Sequence, residues 1–117
     1  MGAPTTASRL GDIEAIKRAT FVHVLGVDRQ EPSIAIEAFT DDAIWDADCF
    51  GLGRISGREA LLEFFERDAA AMAEQYHCVT NHIIEFDGPD DAHGSCYVVS
   101  EGRTRSGSEM RAAMFNE

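Results

Sequence analysis

At 117 residues the chain can bury one real core and is too short for two domains. Its 44% hydrophobic and 26% charged residues are ordinary for a soluble globular protein. A formal charge of -11 argues against nucleic acid and anionic membrane as partners, because both need a positive field.

Residues 1–9 read as a flexible N-terminal arm and 10–117 as a single α+β domain. Met1 to Ala7 lacks the basic start and apolar core of a signal peptide, and no apolar run is long enough to span a bilayer, so a cytoplasmic protein is expected. From Asp12 the spacing of Ile13, Ile16, Thr20, Phe21 and Val24 predicts a helix, with Ser8 or Asp12 as N-cap. It ends near Gly26-Val27-Asp28. Pro32 is placed to open a second, short helix carrying Ile34, Ile36, Ala38 and Phe39. Thr40-Asp41-Asp42 breaks that pattern and leads into a strand from Ala43 to Asp46, which returns through Arg54 and Ile55 between glycines.

Ser56 or Gly57 starts a third helix whose apolar face is Leu61, Leu62, Phe64, Phe65, Ala69 and Met72. Three strands follow, His77 to Asp87, Ala92 to Glu101, and Ser108 to the end. Gly88-Pro89-Asp90-Asp91 is strong turn chemistry between the first two. Helices first and then an antiparallel meander is an α+β order, simplest as a curved sheet wrapped around the helices with a pocket between. Cys49, Cys78 and Cys96 are an odd number without metal-ligand spacing, so reduced thiols and no zinc site are expected.

The stretch from His77 to Phe86 carries most of the chemistry. Alternation puts His77, Val79, Asn81 and Ile83 on the inner face of a strand, and Cys78, Thr80, His82, Ile84 and Phe86 on the outer one. Spacing alone leaves His77 open to two readings, a structural histidine bonded to a backbone carbonyl and a general base near neutral pH. Asp28 is likewise open. A carboxylate at a helix C-terminus opposes the dipole, so it is either a solvent-facing terminator or a residue with another task.

Gly26-Val27-Asp28-Arg29-Gln30, Asp41-Asp42-Ala43-Ile44-Trp45, Gly57-Arg58-Glu59-Ala60 and His77-Cys78-Val79-Thr80-Asn81 occur in this order in one superfamily. On these segments the chain resembles SnoaL-like proteins of the nuclear-transport-factor-2-like superfamily, most of all the branch of scytalone dehydratase and hexachlorocyclohexane dehydrochlorinase. The resemblance runs from about Asp12 to Glu117. It implies a cone-shaped, cystatin-like α+β fold with a curved mixed or antiparallel sheet around the N-terminal helices. It also implies a catalytic dyad of Asp28 and His77, with His77 taking a proton from carbon and Asp28 orienting its ring. The implied activity is that of a lyase or isomerase acting on a small apolar molecule with no metal and no organic cofactor.

The register proposes Val98, Ser100 and Met114 as inward-facing pocket wall, with Cys96 deeper. Trp45 and Phe65 are either aromatic wall or core. His23 is either at the cavity mouth or on the surface, and Asn81 bonds either substrate or the sheet. His82 alternates outward, His93 is expected in solvent, and Arg103, Arg105 and Arg111 read as solvated charge. Tyr76 and Tyr97 do not form the tyrosine pair of scytalone dehydratase, since Tyr97 points outward. Relatives continue into a Trp-containing final strand, so C-terminal truncation and a missing last strand are expected. An apolar outer face at Ile84 and Phe86 predicts a homo-oligomer, dimer or trimer. Two other readings stay open: a non-catalytic ligand-binding or assembly module, and an enzyme in which a carboxylate alone is the base.

Overall fold

The computed structural model describes residues 9–116. Helix α1 (Leu10–Asp28) has Arg9 at its capping position without a side-chain cap, and Asp12 sits inside the first turn, where a carboxylate favours the dipole. Ser8, the other capping candidate, lies outside the described residues, as does most of the expected arm. Arg9 itself is fastened. Its guanidinium lies 3.7 Å from the centroid of the Phe86 ring, pairs with Asp12 at 3.0 Å, and donates to the carbonyls of Gly88 and Pro89.

The chain turns at Gln30, with φ of 59°, into helix α2 (Pro32–Ala35). This helix is shorter than the apolar spacing suggests, and Ala38 and Phe39 fall beyond it. Gly26 is what lets the two helices touch. A Cβ there would collide with the backbone nitrogen of Ala35.

Strands β1 (Ile44–Asp46) and β2 (Arg54–Ser56) form an antiparallel hairpin and lead into helix α3 (Arg58–Ala71). Ala35, Ile36, Leu61 and Phe65 make the buried cluster where α2 and α3 meet, ringed by Val27, Phe39, Trp45, Ile55 and Phe64. Met72 does not complete the face of α3 as its spacing suggests. It leaves the helix at φ -90° and ψ 137° and opens the next strand.

β3 (Met72–Phe86), β4 (Ala92–Thr104) and β5 (Glu109–Asn116) form an antiparallel sheet in the order β3-β4-β5, with β3 packed against α1. The expected α+β architecture is present, with longer strands than the sequence indicates. β3 starts before His77 and β4 continues past Glu101. A 15-residue strand rising about 3.3 Å per residue spans roughly 50 Å, which accounts for the 54 Å long axis of the molecule.

One feature of β3 overturns the sequence reading. The pairing with β4 shifts register between Thr80 and Ile83, and Asn81 adopts a φ of 53°. An extra residue in one strand reverses the face of every side chain after it. Asn81 is therefore exposed instead of sharing the inner face with His77, and Ile83 is 58% exposed. His82, Ile84 and Phe86, expected outside, are the more buried set beyond the bulge. No helix among the described residues is long and apolar enough to cross a membrane.

Candidate active site

Asp28 closes α1 and His77 lies on β3, 49 positions later, yet their side chains meet. The Nδ1–H of His77 donates to Oδ1 of Asp28 at 2.6 Å, and the backbone N–H of His77 donates to Oδ2 at 3.1 Å. Each side chain is 21% exposed. An ionised carboxylate only accepts, so this pairing puts the ring proton on Nδ1 and the lone pair on Nε2. The unfavourable position of Asp28 at a helix C-terminus is offset by these two bonds.

Two glutamines hold the junction together. Gln30 donates from its side-chain amide to the carbonyl of Met72, and Gln75 donates to Asp68 at 2.7 Å and to the carbonyl of Val27 at 3.4 Å. Through Met72 and Val27 they tie the end of α1 to the start of β3 just before His77, and Gln75 adds α3 through Asp68. Gln75 passed unnoticed in the sequence, where a glutamine before a strand carries no signal of its own.

His23 is partly buried instead of lying on the surface. Its Nδ1–H donates to the carbonyl of Ala35 at 2.8 Å, and its ring packs 5.2 Å from Phe39 and 5.3 Å from Phe65, centroid to centroid. Burial holds its pKa below the usual histidine range. The bond to Ala35 opposes that shift, the charge of His77 adds to it, and Asp28 opposes it. His23 thus shares the electrostatic neighbourhood of the pair.

The remaining candidates separate into two groups. Val98 is buried, Ser100 is half-buried opposite His77, and Met114 is half-buried opposite Val98, so all three face inward as expected, with Cys96 buried further along. Trp45 and Phe65 belong to the aromatic core, with Trp45 5.1 Å from Phe64 and 5.8 Å from Phe65. Phe65 packs against His23, 5.3 Å between ring centroids. Tyr97 points outward, 50% exposed. His93 is exposed and pairs with Asp87 at 2.8 Å, while Arg103 and Arg111 pair with Glu74 and Glu101. Among the described residues no cluster of three or more His, Cys, Asp and Glu side chains is placed to hold a metal ion.

A cavity of about 340 Å³ lies further along the same layer, between α1 and the inner face of the sheet. Neither Asp28 nor His77 lines it; His82 does, and sequence alternation had turned that residue away.

Helices laid against an antiparallel sheet, with an Asp–His pair where the first helix meets the longest strand, define a small α+β fold able to hold a base beside a hydrophobic layer. The chain belongs to the SnoaL-like domain family, whose model matches residues 8–117. No curated protein matches it in sequence. Among solved structures it is similar to a provisionally named aromatic ring hydroxylase from Novosphingobium aromaticivorans, with 26% identity and a TM-score of 0.83 over 91% of this chain and 76% of that one. It is similar to a type 2 hexachlorocyclohexane dehydrochlorinase, with 25% identity and a TM-score of 0.80 over 96% and 77% of the two chains. A provisionally named scytalone dehydratase from Novosphingobium aromaticivorans shares the fold at 19% identity, with a TM-score of 0.79 over 95% and 75%.

Proposed function

We propose that the protein is a lyase or isomerase that removes a carbon-bound proton from a small, mainly apolar substrate. The single observation that supports this most is the 2.6 Å bond from His77 Nδ1 to Asp28, which leaves Nε2 as the ring's proton acceptor. In the first step Nε2 takes the proton, and Asp28 steadies the imidazolium that forms. The carbon–hydrogen electron pair becomes a double bond as a leaving group departs with its own pair. In an isomerase the same imidazolium returns the proton at another carbon. Similarity to a dehydrochlorinase at 25% identity supports the elimination form. Ser100, Val98 and Met114 supply inward-facing wall, and His23 contributes a second imidazole.

Solvent deuterium exchange into small compounds with an acidic C–H beside chloride or hydroxyl tests the proposal by mass spectrometry. Wild type is expected to exchange, and Asp28→Asn and His77→Ala to lose about 10²- to 10⁴-fold in rate. Equal exchange in both variants would remove the dyad from the mechanism. One observation favours the other reading, a ligand-binding module: the 340 Å³ cavity is lined by neither member of the pair. Binding at that cavity with no exchange of any such compound would select it. We also propose that copies associate through the outer face of the sheet, at Tyr97, Val99 and Phe115.

A further inference from the structure

We infer that the protein carries a second small-ligand site, the cavity between α1 and the inner face of β3 and β4, where His82 anchors a ring-sized apolar molecule bearing one hydroxyl group. Its volume of about 340 Å³ falls in the range that accepts small organic molecules, roughly 300–1,000 Å³. Ile16 and Thr20 of α1, His82 and Ile84 of β3, and Ser95 and Cys96 of β4 form its walls. The surface the cavity exposes is mostly apolar, with Thr20, His82, His93 and Ser95 among its polar groups, the composition that orients a small ligand.

Two independent features single out His82. Its Nδ1 is buried and has no hydrogen-bond partner among the described residues. A buried polar atom is almost always paired, so an unpaired one asks for a ligand or an ordered water. The bulge at Asn81 is the second feature. Unbroken alternation from His77 would place Ile83 inside and His82 in solvent, whereas the register shift and the positive φ of Asn81 turn His82 inward. Bulges re-aim side chains in this way beside functional sites.

The ligand's chemistry follows from the walls. A neutral imidazole offers one N–H and one lone pair, and a hydroxyl can answer either, so recognition does not depend on the tautomer. Burial pushes the Cys96 thiol up, which keeps that wall uncharged. Of the side chains lining the cavity only His82 and His93 can carry positive charge, and His93 is already paired with Asp87. A carboxylate ligand would therefore meet mainly the field of a chain with formal charge -11.

The site is separate from the Asp28–His77 pair. Thr20 lies eight positions before Asp28 on α1, about 12 Å at 1.5 Å per residue. His82 lies on the order of 13–16 Å beyond His77 along β3. A ring-sized molecule in the cavity therefore does not reach the dyad.

Phenol, with toluene as the same shape lacking the hydroxyl, tests the site by NMR titration of the full chain. Phenol is expected to give saturable shifts at the amides of Thr20, Ser95 and Cys96 and at the ring nitrogens of His82. Toluene should bind at least tenfold more weakly. His82→Phe should weaken phenol at least tenfold and bring it level with toluene. Asp28→Asn should leave phenol binding intact, so failure of the proposed catalysis and failure of this site are distinguishable. Equal affinity for phenol and toluene in wild type would overturn the inference without any variant. So would unsaturable shifts, or shifts centred on His77.

Discussion

His23 shows how a single residue can report on the packing around it. Burial lowers its pKa in the folded chain, so the unfolded chain binds more protons between that lowered value and about 6.5. Stability contributed by neutral His23 is therefore full above about pH 6.5 and falls as pH drops through the window. Below the folded value both states are protonated and the loss stops. His93, whose pKa is raised by Asp87, contributes with the opposite sign, but it is common to wild type and variant and cancels in their difference. Urea unfolding of wild type from pH 7.5 to 5 should show stability decreasing faster than in His23→Gln, which can still donate to the Ala35 carbonyl. Parallel profiles would show that His23 is not held neutral by the fold. The sequence left this residue between surface and cavity mouth because helical spacing fixes only which side of α1 it occupies. Its burial arises from Ala35 and Phe39, which fold back over it, and no local pattern encodes that. Asp28 stands out as a misfit, a carboxylate at the wrong end of a helix, but the misfit alone leaves it open and its pairing with His77 is implied only by the family resemblance.

At the scale of the element, β3 carries the sharpest difference between pattern and structure. Its strand character is plain in the sequence, and so is the inward face of His77 and Val79. The reversal beyond Thr80 is not, because Val79-Thr80-Asn81-His82-Ile83-Ile84 alternates equally well in either register. Asparagine tolerates positive φ better than most residues, and that tolerance is the only local trace of the bulge. The start of β3 is equally hidden: Ala69-Ala70-Ala71-Met72 contains no glycine or proline to mark the end of α3. Asn81→Ala should cost about 1–2 kcal/mol in urea unfolding, the penalty of a Cβ-bearing side chain held in left-handed backbone without the local hydrogen bonding open to asparagine. Asn81→Gly should fall within a few tenths of wild type, since glycine adopts this conformation without strain. If Ala and Gly were equally stable, the strand would run without the bulge and His82 would return to the outer face.

Over the whole molecule, the same reversal adds Ile83 to an apolar outer surface that β4 and β5 also supply. Ile84 and Phe86, the outer face expected from alternation, turn inward, and Ile83, Tyr97, Val99 and Phe115 remain 58%, 50%, 46% and 59% exposed. Tyr97 and Phe115 already pack at 5.9 Å across β4 and β5, which gives the patch a firm centre. A chain of formal charge -11 repels its own copies, so the proposed association through this face is a contest between burial of apolar surface and charge. Salt acts on only one side of it. Raising ionic strength from about 0.1 M to 1 M shortens the screening length from roughly 10 Å to 3 Å and removes most of the repulsion while leaving apolar burial in place. Light scattering at fixed protein concentration should therefore show the mean mass rising with salt. Phe115→Glu puts a charge at the centre of the patch and should hold the protein at monomer mass throughout, with unchanged circular dichroism showing that the fold is kept. A variant that associates as wild type does would place the contact elsewhere on the molecule.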